Sequence, residues 1–212
     1  MNDQQSKCLE LANCFEFMPG SDQVHNQSEL PKLFLKHPIT DSVTFFGGSF
    51  NPFHQGHRAC LDLCPEKNIL IVPDRNPFKA EVNDASTVYD DFYALALELK
   101  DTNYSLYPGF LCQNSPNPTS SWLPKVQIKE KNFLMGDDSY MSLLAWKNPE
   151  VVLGALDKLY VVPRIYQPED YQEQEKEILK INPKLKIHYL KTHPSQNISS
   201  TELRKLAKKN HS

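Results

Sequence analysis

Eleven residues, Gly47-Gly48-Ser49-Phe50-Asn51-Pro52-Phe53-His54-Gln55-Gly56-His57, place two imidazoles three positions apart directly behind a glycine pair. Glycines let backbone N–H groups come close to an anion, and two rings at that spacing can each donate a ring N–H to one phosphate. The chemistry this pattern suits is transfer at a phosphate of a nucleotide. A histidine pair can also ligate a metal, but no third ligand of suitable spacing follows nearby. A second candidate segment lies some 140 residues further on, Ile198-Ser199-Ser200-Thr201-Glu202-Leu203-Arg204. It reads as a helix N-terminus, with Ser199 or Ser200 as cap and Arg204 one turn in as a fork for phosphate oxygens. Alone, Ser-Ser-Thr-Glu is a helix cap with a capping-box glutamate, and Arg204 is one more cation beside Lys205, Lys208 and Lys209.

These residues need a scaffold that presents them together. Ser42-Val43-Thr44-Phe45-Phe46 is a short apolar, β-rich run ending at the glycine pair, and His57, Cys60, Leu61 and Cys64 recur at helical spacing behind it. Strand, glycine turn and helix N-terminus therefore converge, with the amides at Gly48, Ser49 and Phe50 and at the helix start facing one pocket. Further strands are expected at Asn68–Val72, Tyr104–Tyr107, Phe133–Met135, Leu159–Val162 and Lys186–Leu190. Helices are expected over Ser86–Lys100, with Val88, Phe92, Leu95 and Leu99 on one face, over Ser139–Lys147, over Pro168–Ile181 and from Ser200. Pro108–Ser121 reads as a long loop. This alternation predicts an α/β chain, a Rossmann-like doubly wound parallel sheet with helices on both faces.

The two motifs together resemble the nucleotidylyltransferases, whose signature G-G-[ST]-F-[DN]-P-x-H-x-G-H is answered near the C-terminus by I-S-S-T-x-[IL]-R. Phe133-Leu134-Met135-Gly136-Asp137-Asp138 with Trp146 is similar to a G-x-D-x7-W element, which narrows the resemblance to the nicotinate or nicotinamide mononucleotide adenylyltransferases. The resemblance implies that His54, His57 and Arg204 are catalytic. It also implies that Gly48, Ser49, Phe50, Gly136, Asp138, Ser199, Ser200 and Thr201 bind ATP, with Asp138 on the adenosine ribose. Lys79, in a V-P-x-x-x-P-x-K-like loop, would meet phosphate. Trp146 would lie against a pyridine ring, with core packing as its alternative. Arg164, at a strand's end, and Thr119, in a segment parallel to the family's S-Y-T, complete the substrate set. Mg²⁺ would arrive bound through ATP and keep most of its waters.

The expected reaction is adenylyl transfer from ATP to nicotinate mononucleotide, or to the nicotinamide form, in NAD biosynthesis. The alternatives are a related enzyme with another phosphorylated acceptor, and a nucleotide-binding regulatory module without turnover. Net charge −3 and an isoelectric point near 6.2 argue against a broad basic surface for nucleic acid. Five cysteines without a C-x-x-C pair, and no signal peptide or long apolar run, point to a reducing cytoplasm and away from a membrane. Two parts are expected, a nucleotidylyltransferase domain over 42–212 and an extension over 1–41 whose Cys8, Leu9, Leu11, Ala12, Phe15, Phe17 and Met18 form an apolar patch. That patch suits an arm packed over its own domain or over a neighbouring subunit of a homo-oligomer.

Overall fold

The computed structural model describes residues 41–73, 94–99, 101–107 and 117–204. The extension over 1–40, Lys79 and its loop, and residues 108–116 of the long loop lie outside the described residues. Six strands form one sheet: β1 (Ser42–Gly48), β2 (Ile69–Pro73), β3 (Ser105–Leu106), β4 (Glu130–Gly136), β5 (Lys158–Val162) and β6 (Lys186–Tyr189). Their order is β3-β2-β1-β4-β5-β6 and every pairing is parallel, so the chain reverses its direction of winding between β1 and β4. In open parallel sheets that reversal leaves a crevice at the strands' carboxyl ends, where ligands bind. Register brings Gly48 beside Pro73 and Gly136 beside Val162, so both glycines sit on that rim.

The central strands carry apolar side chains on both faces, as sequences buried from two sides must. Val43 and Phe45 enter one core with Phe133, Met135, Leu159 and Val161, while Phe46, Ile69, Ile71, Leu134 and Val162 enter the other. Helix α1 (Gln55–Leu63) covers the second core with Cys60 and Leu61, joined by Leu95, Ala96 and Leu99 from a segment helical at 94–98. The first core is covered by α2 (Thr119–Trp122), α3 (Asp137–Met141), α4 (Pro149–Gly154) and α5 (Pro168–Ile181). Each large apolar side chain fully buried there stabilises the fold by roughly 1.5–3 kcal/mol relative to its exposed state.

Three local expectations change. The helix expected over Ser139–Lys147 is broken: α3 starts two residues earlier and gives way to a 3₁₀ turn, Leu143–Ala145. Ser142 causes the break locally, since its hydroxyl donates back to the Ser139 carbonyl at 3.1 Å while Ala145 and Trp146 donate to carbonyls three residues back. The expected loop ends earlier than Ser121, because Thr119 opens α2 behind Pro118, and Trp122 meets Phe45 edge-on at 5.1 Å. Helix α4 has no counterpart in the expected element list. It begins after Asn148, whose left-handed φ of 52° turns the chain, and Pro149 is pre-set for a first helical position.

Candidate active site

Strand β1 runs through Gly48 into a tight turn, and Phe50 takes the left-handed φ of 45° that a side chain seldom accepts. Its buried ring sits between Phe46 (5.2 Å), Phe53 (6.1 Å) and His57 (5.0 Å), which holds the turn in that conformation. Gly48 is required beneath it, since a Cβ there would lie 3.1 Å from the Phe50 ring. The expected helix start is found at Gln55, and the two histidines themselves cap it. His54 Nδ1 accepts from the Gly56 N–H at 3.1 Å, and His57 Nδ1 accepts from the His54 N–H at 3.3 Å. With its Nδ1 accepting, a neutral His54 ring carries its proton on Nε2. The rings stack at 3.8 Å, with Phe53 against the outer face of His57. Burial holds His54 below the ordinary imidazole range, assisted by the positive charge of Arg164 and by His193.

The second motif lies against this turn. Ser199 caps the helical residues 200–204, accepting from the Glu202 N–H at 3.2 Å and donating to the Glu202 carboxylate at 3.1 Å. Ser200 donates to the Pro52 carbonyl at 3.1 Å, and Arg204 donates to the Asn51 carbonyl and, at 3.2 Å, to Thr201 Oγ1. The two motifs thus meet across roughly 150 residues of chain, as one pocket requires. Arg204 is tied to the loop of the first motif, while Lys205, Lys208 and Lys209 lie outside the described residues.

A third group closes the rim at the ends of β4 and β5. A Cβ on Gly136 would come within 2.8 Å of Asp138 Oδ1 and 3.6 Å of Arg164 Cδ, so glycine leaves room for the exposed Asp138 carboxylate above the strand end. Arg164 donates from Nε to the Gln196 carbonyl at 3.1 Å and from a terminal nitrogen to the Ile198 carbonyl at 3.0 Å. Its guanidinium therefore straps the approach to the second motif onto β5. Trp146 meets Phe133 edge-on at 6.0 Å and packs on the first core, while remaining half-exposed. Thr119 stands half-exposed at the start of α2.

Two residues at this rim escaped the sequence reading. Asp137 is fully buried, and one of its oxygens accepts from the N–H groups of Arg164 (2.6 Å), Ile165 (2.7 Å) and Tyr166 (3.0 Å) and from the Tyr171 hydroxyl (3.1 Å). Four donors on one carboxylate oxygen fix the turn that carries Arg164. The Gly-Asp-Asp run was its only signal, and the spacing drew attention to Asp138. His193 is buried beside Arg164, whose charge and the surrounding desolvation lower its affinity for a proton. A covalent cysteine route has no support among the described thiols. Burial pushes Cys60 up to about 12 and Cys64 up to about 11, so neither is a thiolate near neutrality.

The model of the cytidylyltransferase-like family matches residues 45–206, which contain every group just described. Three relatives bear the name probable nicotinate-nucleotide adenylyltransferase. The one from Caldicellulosiruptor bescii is 30% identical over 77% of this chain and 85% of its own length. Those from Flavobacterium johnsoniae and Flavobacterium psychrophilum are 30% and 32% identical, each over 76% of this chain and 84% of their own lengths. No described helix is long and apolar enough to cross a membrane. The chain belongs to the cytidylyltransferase-like family, as a nucleotidyltransferase of the nicotinate-nucleotide adenylyltransferase group.

Proposed function

We propose that this nucleotidyltransferase moves the adenylyl group of ATP onto the phosphate of nicotinate mononucleotide. The observation that carries this reading is the double-histidine cap of α1, whose preceding loop is bonded at Asn51 and Pro52 by Arg204 and Ser200 of the distant second motif. A phosphate oxygen of the mononucleotide attacks the α-phosphorus of ATP in line, the bond to the β-phosphate oxygen breaks, and pyrophosphate leaves. No covalent enzyme intermediate is needed, so the protein contributes position and fixed charge. His54 and His57 donate to the α-phosphate oxygens as charge builds there. The amides at Gly48, Ser49 and Phe50 and the start of α1 receive the triphosphate, and Ser199, Ser200, Thr201 and Arg204 hold its distal end.

At the other side of the crevice, Gly136 and Asp138 receive the adenosine ribose. Trp146, Thr119 and Arg164 lie on the acceptor's side, Trp146 offering its half-exposed ring to the pyridine and Arg164 its positive field. Lys79 joins them through its phosphate-contacting loop. Mg²⁺ is expected to arrive bound through the triphosphate. Such an ion would supply charge neutralisation at the pyrophosphate, while the protein's own residues hold the triphosphate. The acceptor assignment rests on the names of the relatives. Incubating the protein with ATP, Mg²⁺ and either nicotinate or nicotinamide mononucleotide, and measuring pyrophosphate, tests it. A higher kcat/KM for the nicotinate form is expected, and a higher value for the amide would reverse the acceptor while leaving adenylyl transfer intact.

A further inference from the structure

A buried imidazole normally has at least one partner, because leaving its nitrogens unpaired costs the desolvation of a polar group. Among the described residues His193 has none: it is 7% exposed, and neither Nδ1 nor Nε2 makes a hydrogen bond. Its place in the chain makes this a feature of the transfer site. Three residues on, Gln196 gives its carbonyl to Arg164, and Ile198 does the same. Ser195 presses its carbonyl to within 3.2 Å of where a Cβ on Gly56 would stand, a position that His54 Nδ1 also lines at 3.0 Å. The segment is thus wedged between the strap from β5 and the cap of α1.

We propose that His193 is a further positioning residue of the transfer site, an imidazole that is neutral until a nucleotide polyphosphate enters and then takes a proton from solvent onto its free ring nitrogen. The inference rests on the adenylyl-transfer reading. The groups whose charge faces His193 are Arg164 at the end of β5 and His54 at the cap of α1. Asp137 and Asp138 at the start of α3 share the same neighbourhood, since their fields and that of Arg164 all reach Cys60. Asp137 is committed to the turn at 164–166; burial first, and then the charge of Arg164, keep a proton off both imidazoles. A triphosphate works against both causes, since its several negative charges compensate Arg164 and favour imidazolium over the desolvation cost. His193 becomes a second positive charge behind His54, steadying His54 and the 193–198 segment against the phosphates.

Calorimetric titration of ATP in two buffers of different ionisation enthalpy, near pH 6.5, counts the protons taken up on binding. The wild type should take up more protons than H193Q or H193L, by up to about one per nucleotide, the most one imidazole can carry. The acid limb of the kcat/KM profile should also move in both variants. Equal proton counts and superimposable profiles would overturn the proposal. Absence of any ATP heat in the wild type would overturn the adenylyl-transfer reading and this one with it. If neither variant folds, ring-labelled histidine NMR on the wild type decides: the His193 titration should move to higher pH with ATP, and an unmoved titration overturns the proposal.

Discussion

The two ends of the sheet carry the same kinds of charged and polar residue in opposite conditions. At the amino ends of β4 and β5, Lys158 bonds Glu130 at 2.8 Å and Glu66 at 3.1 Å. Tyr160 donates to Glu66, and Asn132 donates to Glu130 at 2.9 Å. Each of those charges has an opposite partner, and the Glu130 carboxyl is held low by the Asn132 hydrogen bond and then by Lys158. At the carboxyl ends, His193 has no partner among the described residues, one oxygen of Asp137 has none, and a non-glycine residue sits at positive φ in the turn after β1. Buried polar atoms without a partner among the described residues lie toward the amino ends too, Thr44 Oγ1 and Asn132 Oδ1, so what sets the carboxyl ends apart is an unpartnered titratable ring and a residue at positive φ in the turn after β1.

Substitutions at the two edges should therefore separate turnover from stability. The largest effect is expected from His57→Ala, proposed above as a donor to the reacting phosphate: turnover should fall by about a hundredfold to a thousandfold, with a smaller change in ATP affinity. Near-normal turnover in the folded variant would deny His57 its role. Arg204→Ala should cost about 2–3 kcal/mol in ATP binding or turnover, the size of a charged hydrogen-bonded contact. Lys180→Ala, on the exposed face of α5 beside Glu177, should change either by well under about 1 kcal/mol. Equal effects from the two would reduce Arg204 to a helix-end cation.

Asp137→Ala leaves three turn amides without their acceptor and should lower stability by about 2 kcal/mol, read by urea melts. Turnover should fall with it, since the turn carries Arg164. Lys158→Met strips the partner from two half-exposed carboxylates at the far edge, and should cost about 1 kcal/mol or less while leaving kcat unchanged. A loss of kcat there would break the contrast between the edges.

The smallest effect is on the pH dependence of stability, which has the same sign at both edges but a different pH window. His54 and His193 bind protons less readily folded than at their ordinary value of 6.5, so the unfolded chain holds more protons just below that pH. Their neutral burial is fully tolerated above about 6.5, and stability falls as pH drops below it. Glu130, held below its ordinary 4.5, stabilises above that value and loses its contribution as pH falls below it. Thermal melts against pH should show two acid limbs, and H193L should flatten only the upper one.

What the chain discloses locally was legible before any coordinates. Val43, Phe45 and Phe46 announce a strand buried on two faces, and Leu95 and Leu99 announce a buried helical face. The two motifs carry their chemistry in eleven and seven consecutive residues. Asp137 and His193 were not legible, because what defines them arrives from elsewhere. The donors to Asp137 lie 27 to 34 residues away, and His193 gains its meaning from His54 and Arg164 on other elements. Helix α4 is six residues long, too short to show a 3.6-residue period, and the interruption at Ser142 depends on one side-chain bond.

The account turns on one claim, that the rim where the glycine-histidine turn meets Arg204 transfers an adenylyl group. ATP labelled at the α-phosphate, given to the protein with Mg²⁺ and nicotinate mononucleotide, tests it most directly. The label should pass into a dinucleotide with unlabelled pyrophosphate released, and folded His57→Ala should form the product about a hundredfold more slowly. Label retained in ATP, or released as a mononucleotide without joining the acceptor, would contradict the account.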